Sequence, residues 1–136
     1  MKSIDAGDVL VDVLADALNK IKVCESKGKY ECSVPSTKLV RAVLDTMKKE
    51  GYIKEYAEYS EAKAKRLNVT LSKRINDIGV IKPRHATKAR EFQEYENRYI
   101  PSKDFGILVV STPKGIMTNA EAKAEGTGGR LIAYVY

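Results

Sequence analysis

"STPKGIMTNAEAKAEGTGGRLIAYVY", residues 111–136, sets a hydroxyl-bearing turn, a helix start and a closing apolar run in immediate succession. Just upstream, "GILVVST" (106–112) is a compact apolar run of the kind a strand buried on both faces presents. Thr118 and Glu121 stand at the T-x-x-E spacing of a capping box, in which each side chain bonds the other residue's amide. They predict a short helix through "AEAKAE" that ends at Gly126. In "GRLIAYVY", Leu131, Ala133 and Val135 alternate with Ile132, Tyr134 and Tyr136, the pattern of a strand. This end of the chain therefore reads as mainly β with one short helix.

Moving toward the N-terminus, "KPRHATKAREFQEYENRYIPSKDFG" (82–106) is polar with weak periodicity, and "INDIGVIKP" (75–83) holds a short β-like piece. Composition changes near Asn76, which predicts a junction there. Before it, Val9, Leu10, Val13, Leu14, Ala17, Leu18 and Ile21 recur at helical spacing, with acids early and Lys20 and Lys22 late, as a helix dipole favours. "KYECSVP" alternates as a strand and stops at Pro35, after which Ser36 can cap a second helix ended by Gly51. "YIKEYAEYS" and "RLNVTLS" read as a hairpin joined by the polar stretch "EAKAK". The expected fold is α+β in two small packed subdomains: residues 1–75 as α-β-α-β-β, and residues 76–136 as mainly antiparallel β with one short helix.

Composition narrows the functional classes. The 136 residues carry 24 Lys+Arg against 18 Asp+Glu, a net charge of +6, which favours a polyanionic partner. No stretch approaches the roughly 18 to 20 consecutive apolar residues of a spanning helix, so no membrane partner is expected. The acids within the N-terminal apolar segment do not suit a signal peptide, and a cytosolic location is expected. Cys24 and Cys32, with one histidine in the chain, supply too few ligands for zinc and read as reduced structural thiols. Neither a metal nor a cofactor is expected.

Catalytic signatures are missing. The nucleophile elbow G-x-S-x-G, the zinc motif H-E-x-x-H and the phosphate-binding P-loop pattern do not occur. His85 lies in a basic loop without an evident carboxylate partner, so nothing is placed to activate a serine. The chain is expected not to be an enzyme and to have no catalytic residues.

Three features suit binding instead. "STPKG" places small hydroxyls and a rigid proline where a shallow RNA groove could be approached closely, although a plain strand-to-helix turn has the same spacing. The glycines of "GTGG" (126–129) can cradle a phosphate with backbone amides, or simply end the helix and turn into the last strand. Lys82, Arg84, Lys88 and Arg90 form a run with no acid before Glu91, which reads either as a solvated surface or as contacts to RNA phosphates. Phe92 and Tyr95 beside that run are candidates for stacking on bases.

The last 26 or so residues closely resemble the C-terminal signature of the universal small-ribosomal-subunit protein numbered eight: a Ser-Thr-Ser/Pro turn, Gly, Met-Thr, Glu-Ala, Gly-Gly and a terminal Val-Tyr-like strand. The N-terminal helix, "VPSTKLV", "EGYI" and the turn at Lys82 and Pro83 extend the resemblance over nearly the whole chain. It implies a structural constituent of the small subunit that is a primary binder of the central domain of its ribosomal RNA and supports assembly. Neighbouring small-subunit proteins become expected partners, and the ribosome in the cytoplasm the expected location. Carried over, the family's turn puts Ser111, Thr112, Lys114 and Gly115 at the RNA. Pro113, Thr118, Gly128, Gly129 and Arg130 complete the candidate interface, with Lys82, Arg84, Lys88 and Arg90 from the basic loop.

Pro113 and Arg130 depart from bacterial relatives, which carry a serine and an acid there, and the segment 84–98 is longer; these features resemble the archaeal or eukaryotic type. Several members repress their own messenger RNA through a mimic of the ribosomal stem, so the chain's own mRNA is a further candidate partner. The competing reading is a DNA-binding regulator of winged-helix type, since "PSTKLVRAVLDTMKKEGYIKEY" is a basic helix feeding a hairpin. Against it, a strand separates the two helices where a helix-turn-helix has only a short turn.

Overall fold

The computed structural model describes residues 6–82, 84, 86–102 and 105–136, with the backbone alone for 6–12. Pro83 and His85 of the basic loop lie outside the described residues. The chain divides into two compact units, one ending at Arg74 and the other beginning at Ile75.

In the N-terminal unit, helices α1 (Ala6–Ser26) and α2 (Lys38–Lys49) pack on a sheet of β1 (Glu31–Pro35), β2 (Ile53–Glu61) and β3 (Ala64–Leu71). The strands are antiparallel in the order β1-β3-β2. Cys32 and Val34 of β1 and Leu67, Val69 and Leu71 of β3 alternate into the core, facing Leu14, Leu18 and Ile21 of α1 and Val40, Val43, Leu44 and Met47 of α2. Each such aliphatic side chain contributes about 1.5–3 kcal/mol when fully buried.

Two local expectations are corrected. The cap of α2 is Thr37, whose hydroxyl accepts from the Val40 amide at 3.1 Å, because the helix begins one residue later than the Ser36 reading requires. Ser36 instead donates to Glu58 at 2.6 Å and accepts from Arg41 at 2.9 Å. The stretch "EAKAK" is mostly strand: only Ala62 and Lys63 form the turn, at φ 48° and 69°. Two left-handed residues match the twist of a tight hairpin, but this pair lacks the Asn-Gly chemistry that announces such a turn in sequence.

Cys24 and Cys32 are free and buried. Burial foremost, then a hydrogen bond to Cys24, pushes the Cys32 thiol up from 9.0 to about 12. Between those values the unfolded chain loses this proton while the native state keeps it, so stability is expected to fall as pH rises from about 9 toward 12. Tyr56, pushed up to about 12 by burial and its bond to Asp45, acts in the same direction. Cys32→Ala should flatten the alkaline limb of a stability profile measured by denaturant unfolding at each pH, and an unchanged limb would refute the assignment.

The C-terminal unit is a sheet in the order β4-β8-β6-β7, with β5 also pairing β8. Its strands are β4 (Ile78–Val80), β5 (Ala86–Thr87), β6 (Ile107–Thr112), β7 (Gly115–Thr118) and β8 (Gly129–Val135). Helices α3 (Phe92–Tyr99) and α4 (Asn119–Glu125) complete it, α3 preceded by one turn of 3₁₀ helix at Ala89–Glu91. Ile81, Phe92, Ile100, Leu108, Val110, Ala122 and Leu131 form one cluster of the core. Pairing steps from Val109↔Ala133 to Val110↔Leu131, so Ile132 is an extra residue in β8, and its carbonyl accepts from the Ile81 amide at 3.0 Å.

The architecture is the α+β fold expected: a helix-strand N-terminal region and an antiparallel C-terminal sheet with the short capped helix α4. Helix α3 is an addition within the segment that read only as polar. Its inward face is Phe92 and Glu96, both buried, with half-buried Tyr95 and Tyr99 against the core. A glutamate on the inward face hides the apolar stripe that sequence periodicity relies on. Lys123 of α4 is its ion-pair partner.

Candidate nucleic-acid interface

Strand β6 buries Ile107 to Val110 and emerges at half-buried Ser111. The chain then reverses over Pro113 and Lys114 and returns as β7, with Thr112 paired to Gly115. "STPKG" is therefore the tip of a hairpin, correcting the strand-to-helix alternative; four residues, "GIMT", are too few to announce a strand by periodicity. Gly115 has φ +124°, a conformation that side chains rarely adopt, and that closes the tip.

The two hydroxyls of the tip have different duties. Thr112 donates to the Gly115 carbonyl at 2.8 Å and accepts from the Lys114 amide at 3.1 Å, so its hydroxyl holds the turn. Ser111 lines an open hollow with Thr87, Lys88, Pro113, Gly128, Gly129 and Arg130 around it. The register explains the meeting: Ala86 of β5 and Ser111 of β6 both pair with Arg130 of β8, from either side.

Glycine is needed at the floor for close approach. A Cβ on Gly129 would lie 2.3 Å from the Ser111 carbonyl oxygen, and one on Gly128 would lie 2.5 Å from that of Thr87. Gly126 caps α4 with φ 66°. The helix-ending reading of "GTGG" thus has a full packing account, while Gly128 and Gly129 still face the hollow.

Among the described residues one acid, Glu91, lines the hollow, against the two cations Lys88 and Arg130. The Arg130 guanidinium donates to the Arg84 carbonyl at 3.3 Å. Burial first, and Arg130 second, depress the Arg84 pKa. Its Nε and Nη2 are buried and have no hydrogen-bond partner among the described residues. The two unused donors of Arg84 beside a second guanidinium, that of Arg130, make a site that an anion relieves.

Not every expected residue joins this face. Thr118 is 1% exposed and its hydroxyl accepts from the Glu121 amide at 3.2 Å, so it caps the start of α4 and does not line the hollow. Phe92 is fully buried and cannot stack on a base, while Tyr95 lies under the Arg98 guanidinium at 5.3 Å. Lys82 and Arg90 are exposed but do not line the hollow; Lys114 reaches Glu125 at 3.8 Å along the surface.

The sequence model of the family described as Ribosomal protein S8 matches residues 12–136. The chain belongs to the ribosomal protein S8 family. It is thus a small-subunit ribosomal protein that binds ribosomal RNA, in a family that is typically structural and non-enzymatic. The family places it at the ribosome, among other ribosomal proteins. Among the described residues no helix is long and apolar enough to cross a membrane. The winged-helix alternative is not favoured, since β1 lies between α1 and α2.

Proposed function

We propose that this S8-family chain is a primary binder of the central domain of small-subunit ribosomal RNA, supports subunit assembly, and is of the archaeal or eukaryotic type. Its RNA-binding subdomain is the C-terminal one. The contact face is the hollow ringed by Ser111, Pro113, Gly128, Gly129, Arg130 and Lys88, with Arg84 behind it and Lys114 and Gly115 on the hairpin tip. The observation that carries this reading is the half-buried Arg84 guanidinium, whose Nε and Nη2 have no hydrogen-bond partner among the described residues, beside Arg130 and one step from a hydroxyl on a rigid turn. An RNA backbone supplies the phosphate for the cations and the 2′-hydroxyl for the serine. A stem of the same shape in the chain's own messenger RNA would use the same face.

The test is equilibrium binding to a central-domain RNA fragment, an unrelated RNA and duplex DNA at two salt concentrations. A preference of about a hundredfold, roughly 2.7 kcal/mol, that survives the higher salt is expected. Equal, salt-labile binding to all three would leave charge attraction alone and defeat the proposal.

The hydroxyls should separate in the same assay. Ser111→Ala is expected to weaken the RNA complex by about 1–3 kcal/mol with an unchanged melting temperature. Thr112→Val should also lower stability, by about 1 kcal/mol, because two bonds inside the turn are lost. Equal melting temperatures for both variants would contradict the division of duties.

Phosphate contacts predict a salt signature. Neutralising Lys88, Arg84 or Arg130 to Gln should each lower the log-log salt slope by about 0.7–0.9. Lys82→Gln and Arg90→Gln, outside the hollow, test how far the basic loop extends the contact. Unchanged slopes for the three residues at the hollow would move the RNA elsewhere.

A further inference from the structure

Among the described residues, the N-terminal sheet leaves β2 as an outer strand, paired with β3 alone. It runs nine residues, and positions 54, 55 and 57–61 are exposed, with Tyr56 half-buried. After the irregularity between Ile53 and Glu55 its register is unbroken to Glu61. The other outer strands are short: β1 has five residues and ends on Pro35, β7 has four and β4 three. A long, proline-free edge offers backbone donors and acceptors as a template for another strand.

Charge decides what can use it. Within β2 there are three glutamates, Glu55, Glu58 and Glu61, and one lysine, Lys54, while the cations Lys65 and Arg66 lie on β3, one strand in from the edge. A second copy of β2 would bring glutamates against glutamates, and the carboxylates of Glu55 and Glu61 disfavour a phosphate laid along the edge itself. Glu58 is held by Arg41 at 3.0 Å, while Glu55 and Glu61 alternate onto the other face of the strand with Tyr59. The Tyr59 hydroxyl shares a hydrogen bond with Ser33 at 2.5 Å, and Arg66 donates to the same serine oxygen at 2.8 Å, so the ring is fixed in place. A carboxylate on either side of a fixed aromatic ring suits lysine and arginine side chains.

We propose that the free edge of β2 receives a Lys/Arg-rich extended segment of a neighbouring protein as a fourth strand. Main-chain bonds supply affinity, and Glu55 and Glu61 select basic side chains. The surface lies in the N-terminal unit and does not depend on how the C-terminal hollow reads RNA.

The full chain, labelled for amide hydrogen exchange, is titrated with a peptide of alternating Lys and Thr, about ten residues long, and with its alternating Glu and Thr counterpart. The basic peptide is expected to slow exchange within residues 55–61, and the acidic one to leave it unchanged. Joint reversal, Glu55→Lys with Glu61→Lys, should weaken the basic peptide about tenfold and leave RNA binding intact. Should reversal unfold the unit, Glu55→Gln with Glu61→Gln must still weaken it measurably. The proposal is overturned by equal binding of both peptides, by protection elsewhere, by indifference to the substitutions, or by protection of these amides by the central-domain RNA fragment instead.

Discussion

Lys123→Met is expected to destabilise the C-terminal unit by about 3–5 kcal/mol, measured by denaturant unfolding at neutral pH. Glu96, on α3, is 2% exposed, and Lys123, on α4, is its ion-pair partner. Removing the lysine charge strands a carboxylate among Phe92, Ile100 and their neighbours, where water cannot solvate it. Substituting both partners, Lys123→Met with Glu96→Leu, should recover most of the loss, since an apolar pair carries no desolvation cost. A single-variant loss below about 1 kcal/mol would show that the pair is a surface contact in effect. Lys123 lies away from the hollow, so RNA affinity should change only as far as the unit unfolds.

Gly129→Ala is expected to cost about 3 kcal/mol, at the upper end for forcing extra volume into a packed site. The added methyl would meet the Ser111 carbonyl oxygen at 2.3 Å, a backbone atom with no rotamer to escape through. The strands must part there, and the strain falls on the step where Ser111 pairs with Arg130. RNA binding should therefore weaken together with stability. Ser111→Ala provides the contrast, since it alters only binding. Native stability for Gly129→Ala would mean that β6 and β8 can separate without penalty at this point.

Much of the fold was legible in one dimension because local chemistry announces it. The N-terminal helix follows from apolar spacing, α4 from Thr118, Glu121 and Gly126, and β6 and β8 from their apolar runs. Where local signals were absent, the reading failed in particular ways. The Ala62–Lys63 turn carries no glycine or asparagine, β7 is only four residues long, and the inward face of α3 contains Glu96. The cap of α2 was displaced by one residue, since Ser36 and Thr37 offer the same chemistry side by side.

The candidate site divides in the same manner. Residue types and order pointed to Ser111, Gly128, Gly129 and Arg130, and the charge excess to a polyanion. Thr118 and Phe92 have the right chemistry for RNA but are buried, a property that depends on what packs over them. The duties of Thr112 and Ser111 are opposite although they are adjacent, because successive residues of a strand face opposite sides.

The type and order of most elements, the basic character and the family resemblance are all carried by neighbours in the chain. Folding alone brings distant residues together: Lys88, Ser111 and Arg130 around one hollow, Arg84 beside Arg130, and Glu96 with Lys123. These meetings depend on strand register and helix docking between segments tens of residues apart. A register slip of one residue would turn each side chain to the other face, and no local spacing records that choice.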